Sequence, residues 1–136
     1  MSAAVEFTSV REAREHLKEF LDAATTGRPA TVSRDLQRLA IVDVAPLLDA
    51  LEKGLPARAE VVAEEGGWSI FLPGLPIAAD GTDLEQAVDE MVDALRDYAE
   101  AWSERLRLAP NHRGNWALVQ FVALADDERL ASWITS

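Results

Sequence analysis

The spacing of apolar and polar positions changes several times along the chain, and each change marks an element. Val5-Glu6-Phe7-Thr8 alternates, which predicts a short strand. From Ser9 the period lengthens. Ala13, Leu17, Phe20, Leu21 and Ala24 fall on one face of a single helix. Ser9-Val10-Arg11-Glu12 fits a capping box at its start, the hydroxyl accepting from the N3 amide and the glutamate reaching back. Thr25-Thr26-Gly27 closes it, because glycine takes the left-handed conformation at low cost. Two apolar runs, Ala30-Thr31-Val32 and Leu39-Ala40-Ile41-Val42, then flank the polar stretch Ser33-Arg34-Asp35-Leu36-Gln37-Arg38, which reads as a hairpin with a turn at Asp35-Leu36-Gln37. Pro46 suits a first helical turn, Leu47, Leu48 and Leu51 give a short apolar face, and Gly54 is the stop. Residues 5–53 therefore predict β-α-β-β-α.

Leu55-Pro56 reads as a joint. Residues 58–63 alternate, Glu65-Gly66-Gly67 turns the chain, and residues 68–72 give a second strand. Pro73-Gly74-Leu75-Pro76 breaks the pairing, residues 77–79 resume it, and Asp80-Gly81 turns again. Thr82-Asp83-Leu84-Glu85 forms another capping box and opens the longest helix. Leu84, Val88, Met91, Leu95, Tyr98, Trp102 and Leu106 recur along it at intervals of three and four. After a loop from Pro110 to Gly114, residues 116–124 predict a last strand, and Asp126 caps a final turn or two ending at Trp133-Ile134. The fold class expected is α+β: a small β-α-β-β-α domain over residues 1–54, then a β-β-β-α-β module with a short helix over residues 57–136. About fifty residues rarely bury enough surface to be stable alone, so the first domain is expected to dimerise.

Charge sharpens the division. The 136 residues carry a formal net charge of −11 and 49% hydrophobic residues. Residues 1–60 hold eight Lys/Arg against ten Asp/Glu, whereas residues 61–136 hold five against fourteen. The mean field repels phosphate and suits a basic partner. There is no cysteine, hence no disulfide framework and no thiol chemistry. The opening MSAAVEFTSVREARE lacks the basic start and apolar run of a signal peptide, and no stretch approaches a membrane span. A cytoplasmic protein with no membrane association is expected.

Catalytic chemistry has little to stand on. His16 and His112 lack metal-like partners at useful spacing, and no phosphate-binding glycine loop or nucleophile elbow is present. No enzyme activity, metal or cofactor is expected. Three features remain. Arg11 and Arg14 lie in the first turn and a half of a helix, where a cation opposes the macrodipole, and Arg34 and Arg38 stand at the shoulders of the hairpin tip. With the Ser9 cap and the helix amides they could form an anion site. Asp89, Asp93 and Asp97 repeat at i, i+4 and i+8, with only Arg96 among them to offset their repulsion. Trp102, Trp116 and Trp133 are candidate binding anchors, since tryptophan is enriched at hot spots, and core packing is the alternative for each.

These residues carry a resemblance. "VEFTSVREAREHLKEFLDAATTGRPATVSRDLQRLAIVDVAPLLDALEK" resembles the N-terminal domain of prevent-host-death (Phd/YefM-type) antitoxins. The match lies in a strand, "AREHL" on a capped helix, the "TGRPATVSR" approach to a hairpin, the strand "LAIVDV" and a short helix. The family's hairpin often carries a glycine near its tip; this one has none. "EEGGWSIFLPGLPIAADGTDLEQAVDEMVDALRDY" is similar to HicB-type domains. The resemblance implies an intertwined homodimer, or a higher oligomer, that binds operator DNA and represses its own operon. It implies DNA contacts from Arg14 and Arg34, supported by Ser9, Arg11 and Arg38. It also implies a cognate toxin, a basic ribonuclease of RelE type; charge and residue type, not the resemblance, make Asp89, Asp93, Asp97, Trp102, Trp116 and Trp133 the candidates for holding it on the acidic module. The alternative is a stand-alone transcriptional regulator whose second module senses a ligand or oligomerises.

Overall fold

Early alternation in the sequence produces a three-stranded sheet. In the computed structural model, which describes residues 3–136, β1 (Val5–Phe7) pairs parallel to β2 (Ala30–Arg34), and β2 pairs antiparallel to β3 (Gln37–Ile41). The parallel register sets Val5 beside Ala30 and Phe7 beside Val32. Two helices connect β1 to β2 instead of the single one expected: α1 (Val10–Glu15) and α2 (Leu17–Thr25), with the break at His16. The break has a packing cause. Phe7 stacks between His16 and Phe20, with ring centroids 5.9 and 5.4 Å apart, and α2 turns Phe20, Ala23 and Ala24 inward. Leu17 and Leu21, expected on the buried face, are exposed.

Both predicted signals at the ends of this helical segment are present. Ser9 Oγ accepts from Glu12 N, while the Thr8 amide and hydroxyl donate to Glu12 Oε2. At the other end, Gly27 takes φ +84°. The Gly27 amide donates to the Ala24 carbonyl and the Arg28 amide to the Ala23 carbonyl, a Schellman closure.

Helix α3 (Val44–Gly54) follows and ends at Gly54 as expected. The chain divides into two compact units inside this helix, one up to Leu47 and one over Leu48–Ser136. That is earlier than the joint expected at Leu55-Pro56. The reason is bonding: Trp133 Nε1 donates to the Leu55 carbonyl at 2.6 Å, and Arg129 reaches Asp49 at 2.9 Å and Glu52 at 3.2 Å. The hydrogen bond to Asp49, and after it Glu52, raises the Arg129 pKa against the opposing effect of burial.

The second unit opens with an antiparallel meander of β4 (Glu60–Glu64), β5 (Gly67–Phe71) and β6 (Ala78–Gly81). Helix α4 (Leu84–Glu104) packs over β5 and β6. Its cap is one residue later than expected: Asp83 accepts from Gln86 N, and Gln86 Oε1 takes both the amide and the hydroxyl of Thr82. Residues 116–124 form helix α5 (Trp116–Leu124), not the expected strand. Short apolar runs do not separate the two states by periodicity alone. Here Leu118, Val119, Phe121 and Val122 bury at helical spacing. Helix α6 (Asp127–Ile134) is capped by Asp126, as expected. Arg96 seals the end of α5 by donating to the carbonyls of Val122 and Ala125 and to Asp127. Ile70, Met91, Leu95, Phe121 and Leu130 centre the core.

Gly67 and Gly81 of the meander mark close approach. A Cβ on Gly81 would stand 2.3 Å from the Ala87 nitrogen, whereas one on Gly54 would meet nothing within 4 Å. Gly81→Ala is therefore expected to cost at least about 2 kcal/mol in urea unfolding. Gly54→Ala should stay within about 1 kcal/mol of the parent, on the stabilising side. Equal effects would contradict the close packing of α4 on β6.

Candidate functional site

The first unit builds its candidate site from the sheet register. Ala30, Val32 and Arg34 alternate onto the face that packs against the helices, since Ala30 joins the Phe7–Phe20 core. Arg34 thus stands on the helix side of the sheet, at the hairpin end. Because Phe7 is level with Val32, the Thr8-Ser9 segment and the start of α1 come to the same end. Arg14 is exposed on α1 and Arg34 on β2, and neither meets a carboxylate among the described residues.

The remaining candidates are placed differently. Arg11 pairs with Glu15 at 3.1 Å on the exposed helix surface. Arg38 pairs with Glu6 at 2.7 Å. The hairpin explains why Arg38 does not join Arg34. The expected turn at Asp35-Leu36-Gln37 would set the two arginines opposite each other on one face. The turn is instead the two residues Asp35-Leu36, so Arg34 pairs with Gln37 and Arg38 with Ser33. One residue of register moves a side chain to the other face. Asp35 supplies the left-handed backbone, φ 54°, that glycine would otherwise provide. Ser9 is engaged as a cap, and the Glu12 carboxylate occupies the helix start where an anion was expected. The helix start is thus already occupied by a carboxylate, and the exposed guanidinium groups of Arg14 and Arg34 are, among the described residues, the unpaired cationic groups nearest to it in the chain.

Sequence reasoning missed an apolar surface in this unit. Val10, Leu17 and Leu21 of the helices, and Leu39 and Ile41 of β3, are all 40–53% exposed. Leu39 and Ile41 share the helix face of the sheet yet lie uncovered on its edge strand. The sequence signal for it was the short length of the unit; among the described residues, the buried cluster beneath holds Phe7, Phe20, Ala23 and Ala30.

In the second unit, Asp89, Asp93 and Asp97 form an exposed ridge on α4. Its span is roughly 12 Å at 1.5 Å per residue. None of the three has a partner among the described residues, and Arg96, expected to offset them, is spent on α5 and Asp127. The tryptophans separate. Trp102 is 8% exposed with Nε1 donating to the His112 carbonyl, and Trp133 is 6% exposed with Nε1 on the Leu55 carbonyl. Both are nearly buried core residues with satisfied donors, the core-packing alternative to their reading as anchors. Trp116 is 55% exposed. His112 is tied to Tyr98, whose hydroxyl lies 2.9 Å from Nδ1 and accepts from Asn115. Among the described residues no cluster of three or more metal-ligating side chains occurs, and no helix is long and apolar enough to cross a membrane.

Comparison with known proteins gives a family and a fold. The PHD-like family, described as antitoxin of toxin-antitoxin, RelE/RelB, TA system, matches residues 4–134. A crystal structure of an antitoxin part of a candidate toxin/antitoxin system from Syntrophomonas wolfei subsp. wolfei superposes with a TM-score of 0.77. It is 18% identical and the alignment covers 98% of this chain and 96% of that one, so it shares the fold. No curated protein matches the chain.

The tryptophan assignment has a direct check. Trp102→Ala is expected to lower unfolding free energy by about 3–5 kcal/mol. Trp116→Ala should change it by no more than about 0.5 kcal/mol. Chemical denaturation followed by far-ultraviolet circular dichroism separates them, and a costly Trp116→Ala would contradict its exposure.

Proposed function

The chain belongs to the PHD-like family of RelE/RelB toxin–antitoxin antitoxins, and on that premise we propose that its first unit binds operator DNA as a homodimer while its acidic second unit neutralises a basic, RelE-type ribonuclease. In this reading the two units keep the characters of the domains they resemble, Phd/YefM-like and then HicB-like. The observation that carries the DNA assignment is the pair Arg14 and Arg34. They are exposed and free of carboxylates on the helix side of one small sheet, in a chain of net charge −11. Phosphate would compensate both guanidinium groups. Arg11 supports them from the same helix. Arg38, bound to Glu6 on the other sheet face, is left out.

Dimerisation accounts for the exposed Leu17, Leu21, Leu39 and Ile41. A second copy covering them would enlarge a core too small for an isolated unit. Two-fold symmetry would present the arginine pair twice and favour a palindromic site.

The toxin assignment rests on charge. Residues 61–136 hold fourteen carboxylates against five cations. A ribonuclease must hold RNA on a cationic surface, and an acidic ridge such as Asp89, Asp93 and Asp97 competes for it. Trp116 is the exposed tryptophan available as an anchor.

Fluorescence anisotropy with the DNA upstream of the gene tests the first part. Arg14→Ala with Arg34→Ala is expected to abolish binding while sedimentation still reports a dimer; unchanged affinity would remove the DNA assignment. For the second part, Asp89→Asn with Asp93→Asn and Asp97→Asn should weaken binding to the ribonuclease encoded beside the gene by roughly tenfold or more. Undiminished binding would remove the ridge from the interface.

A further inference from the structure

Strand β4 is an open edge without lysine, proline or a bulge, guarded only by its shortness and by the charges of Glu60 and Glu64. It lies at the end of the β4-β5-β6 sheet, and all five of its residues are exposed. Among the described residues its backbone pairs with β5 alone. An edge of this kind presents a row of unpaired amides and carbonyls that can template another strand. Proteins normally blunt such edges with lysine, proline, a bulge or a covering element. Residues 60–64, Glu-Val-Val-Ala-Glu, include no lysine or proline, and their register with β5 runs without a bulge from Glu60–Phe71 to Glu64–Gly67.

The side chains of the edge have a definite character. Val61 pairs with the fully buried Ile70 and so shares the face covered by α4. That helix packs over β5 and β6, and Val61 remains 42% exposed. The opposite face presents Glu60, Val62 and Glu64, with Val62 42% exposed and the neighbouring Phe71 40% exposed. The edge is thus apolar at its centre and anionic at both ends of one face.

We propose that β4 captures an extended cationic segment of the protein partner by strand addition. The incoming strand carries Lys or Arg at two positions four residues apart, opposite Glu60 and Glu64, with apolar side chains between them. Main-chain hydrogen bonds supply the binding and the alternating side chains supply the choice. Charge disfavours a second copy in the same seat. Antiparallel self-pairing of the whole strand, centred on Val62, would set Glu60 against Glu64 of the other copy twice, and like charges directly opposite destabilise a ladder. This proposal deepens the toxin reading and rests on it for the partner's identity, but the chemistry of the edge can be tested without the toxin.

The test uses the full chain labelled with nitrogen-15 and a synthetic peptide, acetyl-Thr-Lys-Val-Val-Val-Lys-Thr-amide. Addition of the peptide is expected to shift the amide signals of residues 60–64. A peptide with Glu in place of both Lys should bind at least about tenfold more weakly. Glu60→Lys with Glu64→Lys, at exposed positions outside the core, should reverse that preference while leaving the thermal midpoint unchanged. No shift in β4, shifts confined to other elements, or equal affinity for the two peptides would overturn the proposal. Concentration-dependent shifts of residues 60–64 without peptide would overturn the choice of partner in favour of a second copy. Toxin binding that survives Glu60→Lys with Glu64→Lys undiminished sinks the edge and spares the toxin reading. Peptide capture at β4 with no toxin bound spares the edge and sinks the toxin reading.

Discussion

Parallel pairing of β1 with β2 decides where the cations of the first unit stand. Phe7 beside Val32 makes the start of α1 level with the hairpin end, and Ala30 beneath Phe20 makes the helix side the buried side. Arg34, two positions beyond Val32, then belongs to the helix side by strand alternation alone. Slipping β1 by one residue would expose Phe7, so the aromatic stack of His16, Phe7 and Phe20 holds the register. The same stack explains the break at His16, which turns α2 so that Phe20 meets Phe7 and leaves Leu17 and Leu21 outside. A small core and an uncovered apolar surface are two results of one packing choice, and both are what the proposed dimer would relieve.

In the second unit the corresponding constraint is the anchoring of residues 48–55. Trp133 holds the Leu55 carbonyl and Arg129 holds Asp49 and Glu52. Arg96 is used inwardly as well, closing the end of α5. Asp89, Asp93 and Asp97 of α4 consequently have no ion-pair partner among the described residues. Acidity in this unit is therefore a property of its surface and not only of its composition, which is the condition for competing with RNA on a basic enzyme.

Much of the local structure was legible. The Ser9 cap, the stop at Gly27, the hairpin, the meander and α4 each follow from a short-range rule about hydrogen bonding or period, and such rules act within a few residues. The misses depended on tertiary context. The strand expected at 116–124 is a helix because its apolar residues find a core at helical spacing, which no local pattern records. Trp102 and Trp133 resemble hot-spot residues by type, but their indole donors already have carbonyl partners inside the unit. The division of the chain fell inside α3 because bonds from residues nearly eighty positions away fix its second half. Hairpin register was the most consequential case. A three-residue turn would have joined Arg34 and Arg38, and the two-residue turn at Asp35-Leu36 parts them.

That parting gives the most direct test of the account. Nitrogen-15 spectra of the arginine side chains can be recorded while operator DNA is titrated onto the full chain. The Nε–H signals of Arg14 and Arg34 are expected to shift and broaden as phosphate compensates them, while that of Arg38 stays where Glu6 holds it. A titration in which Arg38 moves and Arg14 and Arg34 do not would contradict it.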